Sequence, residues 1–426
     1  MIVIFSQMEK FGFSMKNNTL ILPIERESRE LVSRTIIRDY FKSNGFRVIM
    51  VNSRFFHVFF PFFRPGYVLE NDLTFQSSKF LPNLYECGFK IFAHDEESFG
   101  HQNDDYYIKE RICLSNFKYI EFFFSRGKSD RDSILKLNLN LKNKIQSAAN
   151  YRFLNFNDKT IENHVISQKI NKLRKKFSKI ILVASKFSMV NRRDKLFDSD
   201  SIVKRRMNKF NWNKKYINDL KNYIYYNREL FEKVLLDYEE LIKNNPTYFF
   251  VLRPHPGENL DKWLNISKKF NNTIIDFSES LLEWSKYCDL LIHNGSTSGL
   301  EAFLIGKQVI YYDPMRNNED LIDKKLSITS CFIDNFTELN ESISKDKVYD
   351  EFSYKNKLES LEHYLDLKTD FATILLSKVY LSSKPELNFI KRINYIFSKP
   401  FLIKLYYFFR YYYKHVWFVG LKGKRI

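Results

Sequence analysis

The feature that most constrains this chain is an alternation of short apolar runs with amphipathic stretches, which stops midway and then restarts. "TLILPIE" (Thr19 to Glu25) reads as a strand. "SRELVSRTIIRDYFKSNG" follows, with apolar residues three and four apart and a stop at Asn44-Gly45, the chemistry of a helix terminus. "FRVIMVN" is the next strand, "FLPNLYECG" a helix, "FKIFAHDEES" a strand entering a loop and "FKYIEFFFSRG" another strand. Such alternation builds a parallel sheet with helices on its faces.

Around Asn155 to Lys176 the chain turns polar and charged, as a hinge would. "KIILVASKFSMVN" (Lys179 to Asn191) restarts the pattern with a buried strand. "RELFEKVLLDYEELIKNNP" is an amphipathic helix ending at Asn245-Pro246, after a charged region read as a loop and a helix. "TYFFVLRPHPGE", "NTIIDFS", "CDLLIHNG" and "KQVIYYD" are further strands, several running into polar loops. The expected organisation is α/β: a Rossmann-like domain over 1–155, a linker over 156–178, a second Rossmann-like domain over 179–385 and a tail over 386–426. A chain of 426 residues exceeds one ordinary core, which agrees with two domains. In open α/β sheets ligands sit at the carboxyl ends of the strands, so the loops there are the candidate sites.

Composition excludes several classes. With 44% hydrophobic and 28% charged residues the chain is globular. Cys87, Cys113, Cys288 and Cys331 lie far apart and form no metal-site pair, a pattern of reduced thiols. "IVIF" is too short for a signal-peptide core, and no apolar run reaches the roughly 18 residues of a spanning helix. The net charge of +18 points to an acidic partner, although Lys, Asn, Ile, Phe and Tyr are also what AT-rich codons favour.

Four loops can carry chemistry. "HNGSTSG" (His293 to Gly299) ends a strand and opens a helix, where unpaired N–H groups and the dipole favour an anion by roughly 0.3–2 kcal/mol. Gly295 and Gly299 permit close backbone approach, and Ser296, Thr297 and Ser298 add hydroxyls. Ser298 can equally be a helix cap, and Glu301 either a first-turn acid or an acceptor for a ribose. "RPHPGE" (Arg253 to Glu258) has prolines that stiffen it and hold His255 at a strand end, as a phosphate donor or as a structural turn residue. "SKFSMVN" brings Ser185 and Asn191 to the same edge. "HDEES" (His94 to Ser98) is a solvated acidic loop or the seat of a general base or nucleophile.

In order and spacing, "RPHPGE" and "HNGSTSGLEA" resemble the paired motifs of GT-B-fold transferases that use CMP-activated acidic sugars, the sialyltransferase and Kdo types. "DEES" is similar to their acidic pair, with Ser98 in place of a glycine. From about Thr19 to Pro314 the chain also resembles bacterial surface carbohydrate biosynthesis proteins, through "LPIERESREL", "NYRFLNF" and "ILVASKFSMVN" as well. The resemblance implies a GT-B fold whose two Rossmann-like domains face a cleft. It implies that His255 and Pro256, with Arg253 nearby, hold the nucleotide phosphate, Ser296 to Ser298 the phosphate or sugar carboxylate, and Glu301 the ribose. Asp95 or Glu96 would be the catalytic carboxylate. It further implies a metal-independent glycosyltransferase without cofactor, whose CMP-sugar donor is a substrate and whose acceptor is a glycan or lipid-linked glycan. Alternatives on the same fold are a CDP-polyol phosphotransferase of teichoic-acid type and a UDP-sugar 2-epimerase-like enzyme.

The tail from Glu386 onward holds nine Lys or Arg against one acid, with aromatic residues throughout and Pro400 dividing two candidate helices. It suits an interfacial helix on an anionic membrane, or a helix that packs back onto the first domain. No nucleic-acid recognition motif accompanies it, so nucleic acid is not an expected partner. The expected location is cytoplasmic, at the inner face of the membrane.

Overall fold

The computed structural model of the chain describes residues 18–25, 27–95, 104–154, 168–193, 201, 203–204, 214–315 and 324–409. Among the described residues, twelve strands form two all-parallel, six-stranded sheets, and their order sets where a ligand can enter.

The first sheet holds β1 (Thr19–Ile24), β2 (Arg47–Asn52), β3 (Tyr67–Glu70), β4 (Lys90–His94), β5 (Phe122–Ser125) and β6 (Ile145–Ser147), in the order β2-β1-β3-β4-β5-β6. Helices α1 (Glu27–Ser43), α2 (Ser53–Phe59), α3 (Leu81–Glu86), α4 (Asp104–Arg111), α5 (Lys128–Leu137) and α6 (Tyr151–Leu154) connect or flank them. Leu20, Ile21 and Leu22 of β1 are fully buried in succession, as a strand covered on both faces requires. Gly45, at φ +81°, supplies the left-handed residue that ends α1.

The second sheet holds β7 (Lys179–Ala184), β8 (Tyr248–Arg253), β9 (Thr273–Ile275), β10 (Leu290–His293), β11 (Gln308–Tyr312) and β12 (Cys331–Ile333) in the order β12-β11-β10-β7-β8-β9. Its helices are α7 (Gln168–Lys176), α8 (Lys214–Asn244), α9 (Asp261–Lys269), α10 (Leu281–Tyr287), α11 (Thr297–Leu304), α12 (Lys324–Ile328), α13 (Phe336–Ser342) and α14 (Glu351–Leu361). The strand order reverses between β7 and β10, so the loops after these two strands flank a crevice.

Two boundaries differ from the sequence reading. The expected linker carries α7, whose Ile170 is buried in the second core beside Ile180 and Trp284. The return to the first domain comes before residue 386. In α15 (Phe371–Leu381), Phe371, Leu375 and Val379 join the core with Leu20, Ile37 and Phe41. Apolar residues of α15 therefore complete the first domain's core, which a cut at 385 would divide. Beyond it, α16 (Phe389–Ile396) docks on the same domain, with Arg392 donating to the carbonyls of Pro61 and Cys87.

The carboxyl edges of the sheets face each other. Tyr106 of α4 donates to Asp219 of α8 at 2.8 Å, and the Lys109 ammonium lies 3.5 Å from the centre of the Tyr216 ring. On the other flank, at the start of α5, Ser129 N–H donates to the carbonyl of His363, and the carbonyl of Arg126 accepts from Asp366 N–H.

Candidate functional site

The second domain's wall is organised by one buried acid. Glu258 is 1% exposed. Its Oε1 accepts from the Ser185 hydroxyl (2.6 Å), Phe187 N–H (2.8 Å) and His255 N–H (3.1 Å), and its Oε2 from the Trp263 indole (3.1 Å). The loops after β7 and β8 are thus fastened to one carboxylate. Burial pushes its pKa above the ordinary carboxyl range, and the donors from Ser185, Trp263, His255 and Phe187 oppose that rise. Asn191 Nδ2 completes the tie, reaching the carbonyl of Asn259 at 2.9 Å and Glu258 Oε2 at 3.5 Å.

His255 stands exposed above this frame. Its Nδ1 accepts from Gly257 N–H at 3.0 Å, which fixes the tautomer with the proton on Nε2 and presents an N–H donor. A Cβ on Gly257 would meet both that ring and Ser188 at 3.3 Å.

The loop after β10 is built around His293. This residue is fully buried; its Nδ1 accepts from Gly295 N–H (2.9 Å) and Ser296 N–H (3.2 Å), while Nε2 pairs with the Ser330 hydroxyl at 2.9 Å. Burial and the nearby Lys186 charge lower its pKa to about 3, so the ring is a neutral scaffold. A Cβ on Gly299 would lie 2.4 Å from His293 Nε2, so only glycine lets α11 close over the ring. Gly295 turns the chain at φ +87°, beneath the Lys186 ammonium, which a Cβ there would approach to 2.4 Å. Ser296 caps α11 by accepting from Ser298 N–H, and its hydroxyl donates to that of Ser298. Asn294 is held by Tyr238 (2.9 Å) and the carbonyl of Tyr312 (2.8 Å).

Across the cleft, Asp95 follows β4 and is 0% exposed. Its carboxylate takes a two-pronged contact from Arg111, 2.6 Å to Nη2 and 3.3 Å to Nε. Arg111 is the last residue of α4, so the pair ties the end of β4 to the last turn of that helix. Glu96 lies outside the described residues. His94 is buried and stacked 4.5 Å from Phe371, and burial lowers its pKa to about 3.

The residues named from sequence therefore divide. His255, Pro256, Gly295, Ser296, Thr297, Ser298 and Glu301 share the crevice edge, with His255 and Pro256 exposed, Ser296 and Thr297 half-buried, and Glu301 buried in the first turns of α11. Ser185, Asn191 and Arg253 were expected to touch the donor. Instead, Ser185 and Asn191 serve Glu258, and Arg253 Nη1 donates to the carbonyls of Asp276 and Glu279, both at 2.9 Å. The physical reason is that a polar side chain at a strand end satisfies buried loop groups before it can serve a ligand. Sequence reasoning missed Glu258 and Lys186. The signal for Glu258 was an acid closing a proline-stiffened turn; Lys186 stands directly after a strand among small polar residues. Among the described residues, no group of three or more His, Cys, Asp or Glu is arranged to hold a metal ion.

No family model matches the sequence, and no curated protein sequence is similar to it. Solved structures do share its fold. A putative UDP-N-acetylglucosamine 2-epimerase from Listeria monocytogenes matches with a TM-score of 0.54 at 12% identity, covering 86% of this chain and 98% of that one. MnaA of S. aureus in complex with UDP matches at 0.52 and 11%, covering 85% and 97%. The wall teichoic acid polymerase TagF matches at 0.50 and 9%, covering 89% and 96%. At these identities the likeness is one of fold: two Rossmann-like domains in the GT-B arrangement.

Proposed function

We propose that the chain is an enzyme of surface-glycan assembly that acts on a sugar or polyol activated by a nucleoside diphosphate. The observation that carries this reading is the wall at the strand-order reversal. There Lys186, His255 and the start of α11 come from three separate strand ends, held by Glu258 and His293. A single helix N-terminus suits one phosphate. An ammonium, an Nε2–H donor and a helix start on neighbouring loops suit a diphosphate, whose charge is spread over two phosphorus centres. Glu301 would accept from the ribose, and the acidic loop that begins at Asp95 and Glu96 would supply the catalytic carboxylate from the facing domain. The acceptor would be a glycan or lipid-linked glycan.

Among the solved structures of the same fold are a putative UDP-N-acetylglucosamine 2-epimerase, a protein bound to UDP and a wall teichoic acid polymerase. They support a uridine or cytidine diphosphate over the CMP-activated acidic sugar expected from the motif pair. The CMP donor stays as the second reading, favoured by the order and spacing of "RPHPGE" and "HNGSTSGLEA".

Thermal unfolding with CMP, CDP, UDP and GDP tests the binding step. A ligand at 100 times its Kd stabilises by about 2.7 kcal/mol. Incubation with UDP-N-acetylglucosamine and with CDP-glycerol then separates the chemistries, by epimer or UDP in the first case and CMP release in the second. Stabilisation by CMP alone would favour the second reading, and no response to any cytidine or uridine nucleotide would overturn both.

A further inference from the structure

Helix α16 and the helical residues 399–409 lie side by side on the first domain. One face of this pair is packed: Tyr395 and Phe401 enter the core beneath α3, and Lys404 donates to the carbonyl of Lys79. The opposite face is apolar and bare. Ile390 is 72% exposed and Phe397 70%, and Phe389, Leu402, Ile403 and Tyr406 are exposed with them. Soluble surfaces rarely leave so much contiguous apolar area to water, and such patches mark a partner or a membrane.

The charge around the patch selects the partner. No Asp or Glu occurs after Glu386, and Lys391 and Lys399 are exposed among the apolar residues; Lys391 also lies 3.8 Å from Glu86 of α3, an exposed pair too weak to cancel the patch's positive charge. A second copy of the chain would set these cations against each other. Single-stranded nucleic acid binds along a groove of successive aromatic rings. Here Phe389, Phe397 and Tyr406 are interspersed with Ile390, Ile393, Leu402 and Ile403, aliphatic side chains that offer a base no ring to stack on. Aliphatic and aromatic side chains that enter the headgroup boundary, with lysines at its rim, match an anionic lipid surface.

Placement agrees with that partner. Phe408 packs 5.2 Å from Phe59 and 6.2 Å from Phe55, and Phe401 lies 6.3 Å from Phe62. The helix formed by 399–409 therefore climbs along α2 toward Asn52, the carboxyl end of β2 and the cleft edge of the first domain. We infer that α16 and residues 399–409 form a monolayer-docking face for anionic lipid that seats the first domain, with its edge of the cleft, on the bilayer surface. Among the described residues no helix is long and apolar enough to cross a membrane, and the face needs none. The inference stands on this patch and not on the nucleotide site.

The test is co-sedimentation of the full chain with vesicles of phosphatidylcholine, alone or mixed with phosphatidylglycerol, over a range of salt. Binding to the anionic vesicles is expected to exceed binding to the neutral ones at least tenfold and to weaken as salt rises. Each lysine near an anionic surface is worth about fivefold in partitioning. Lys391→Glu with Lys399→Glu should therefore lower binding by more than tenfold. Ile390→Ser, Phe397→Ser and Leu402→Ser together, all at exposed positions, should abolish it while urea unfolding stays that of the wild type. Absence of wild-type binding, or equal binding by the triple-serine variant, overturns the inference. So does a concentration-dependent dimer, seen by light scattering, that the same serines dissolve.

Discussion

Removing Glu258 should loosen the whole nucleotide wall. Glu258→Ala leaves the Ser185 hydroxyl, two backbone N–H groups and the Trp263 indole without their common acceptor. Hydrogen bonds to an ionised group contribute about 1.5–3 kcal/mol each, and a buried donor left unmade costs about 1–3. Water entering the vacated space would satisfy part of the set, so the expected loss is about 3–5 kcal/mol, a large share of a typical domain's stability. Glu258→Gln is the sharper probe. Its oxygen can keep the three donors at the Oε1 position, but its amide would face the donors of Trp263 at 3.1 Å and Asn191 at 3.5 Å. That donor-on-donor contact should cost about 1–3 kcal/mol.

Urea unfolding followed by tryptophan fluorescence reads both variants, since Trp263 is buried against the site. A lowered midpoint with unchanged slope reports lost stability alone. Titration with UDP and CDP under native conditions should show weakened affinity in Glu258→Gln, because the loops carrying Lys186 and His255 are no longer fixed before binding. An unfolding free energy for Glu258→Ala within about 0.5 kcal/mol of wild type would refute the reasoning, since that is the range of an ordinary surface change.

Four further outcomes follow from the same geometry. His255→Ala should weaken binding of the nucleotide about 10- to 100-fold, the loss of one charge-assisted hydrogen bond, while leaving the urea midpoint in place because the ring is exposed. Gly299→Ala puts a methyl group into the His293 ring and should lower stability by about 1–3 kcal/mol or more, read by the same unfolding curve. Below pH 6.5 the unfolded chain protonates His94 and His293 while the folded chain, with both held near pKa about 3, does not; the urea midpoint should therefore fall as pH drops from 6.5 toward 3, and a level midpoint from pH 7 to 5 would contradict it. Asp95→Asn removes the charge of a fully buried carboxylate from its pair with the part-buried Arg111 guanidinium and should cost about 1–3 kcal/mol of stability, whereas Glu96→Gln should slow turnover about 100- to 10,000-fold if that carboxylate is the general base.

Strands set off by turn residues or by a helical pattern on either side were legible, as "TLILPI", "KIILVA" and "LLIH" illustrate. β3, β6 and β12 were not. "YVLE", "IQS" and "CFI" carry at most three apolar residues in polar or irregular surroundings, and sheet neighbours rather than composition make them strands. The long α8 was read as two pieces, a helix closing the charged region and an amphipathic helix after it; the structure runs them together as one, whose first turns bring Tyr216 and Asp219 to α4 across the cleft. Sequence placed Ser185, Asn191 and Arg253 at the proper edge. It could not reveal that Glu258 and the carbonyls of Asp276 and Glu279 take up their polar atoms, because that assignment depends on which loops lie within 3 Å of one another.

That distinction bears on what motif resemblance can say about this chain. In "RPHPGE", Arg253 and Glu258 hold loops, Gly257 makes room, and the exposed His255 carries its proton on Nε2. In "HNGSTSG", His293 and Asn294 are buried scaffold, Gly295 and Gly299 allow close approach, and Ser296 and Thr297 remain half-exposed at the helix start. Most letters of each motif thus encode the rigidity of the strand-end loops rather than the identity of what they bind. Rigid strand-end loops reduce the ordering cost of binding any activated nucleotide, whatever its base or sugar. The motif skeleton alone therefore does not choose between the CMP-activated and the nucleoside-diphosphate readings. On the proposed reading, discrimination would come from outside this motif pair: from Lys186 beside Gly295, placed for a second phosphate, and from the facing domain, where Asp95 pairs with Arg111.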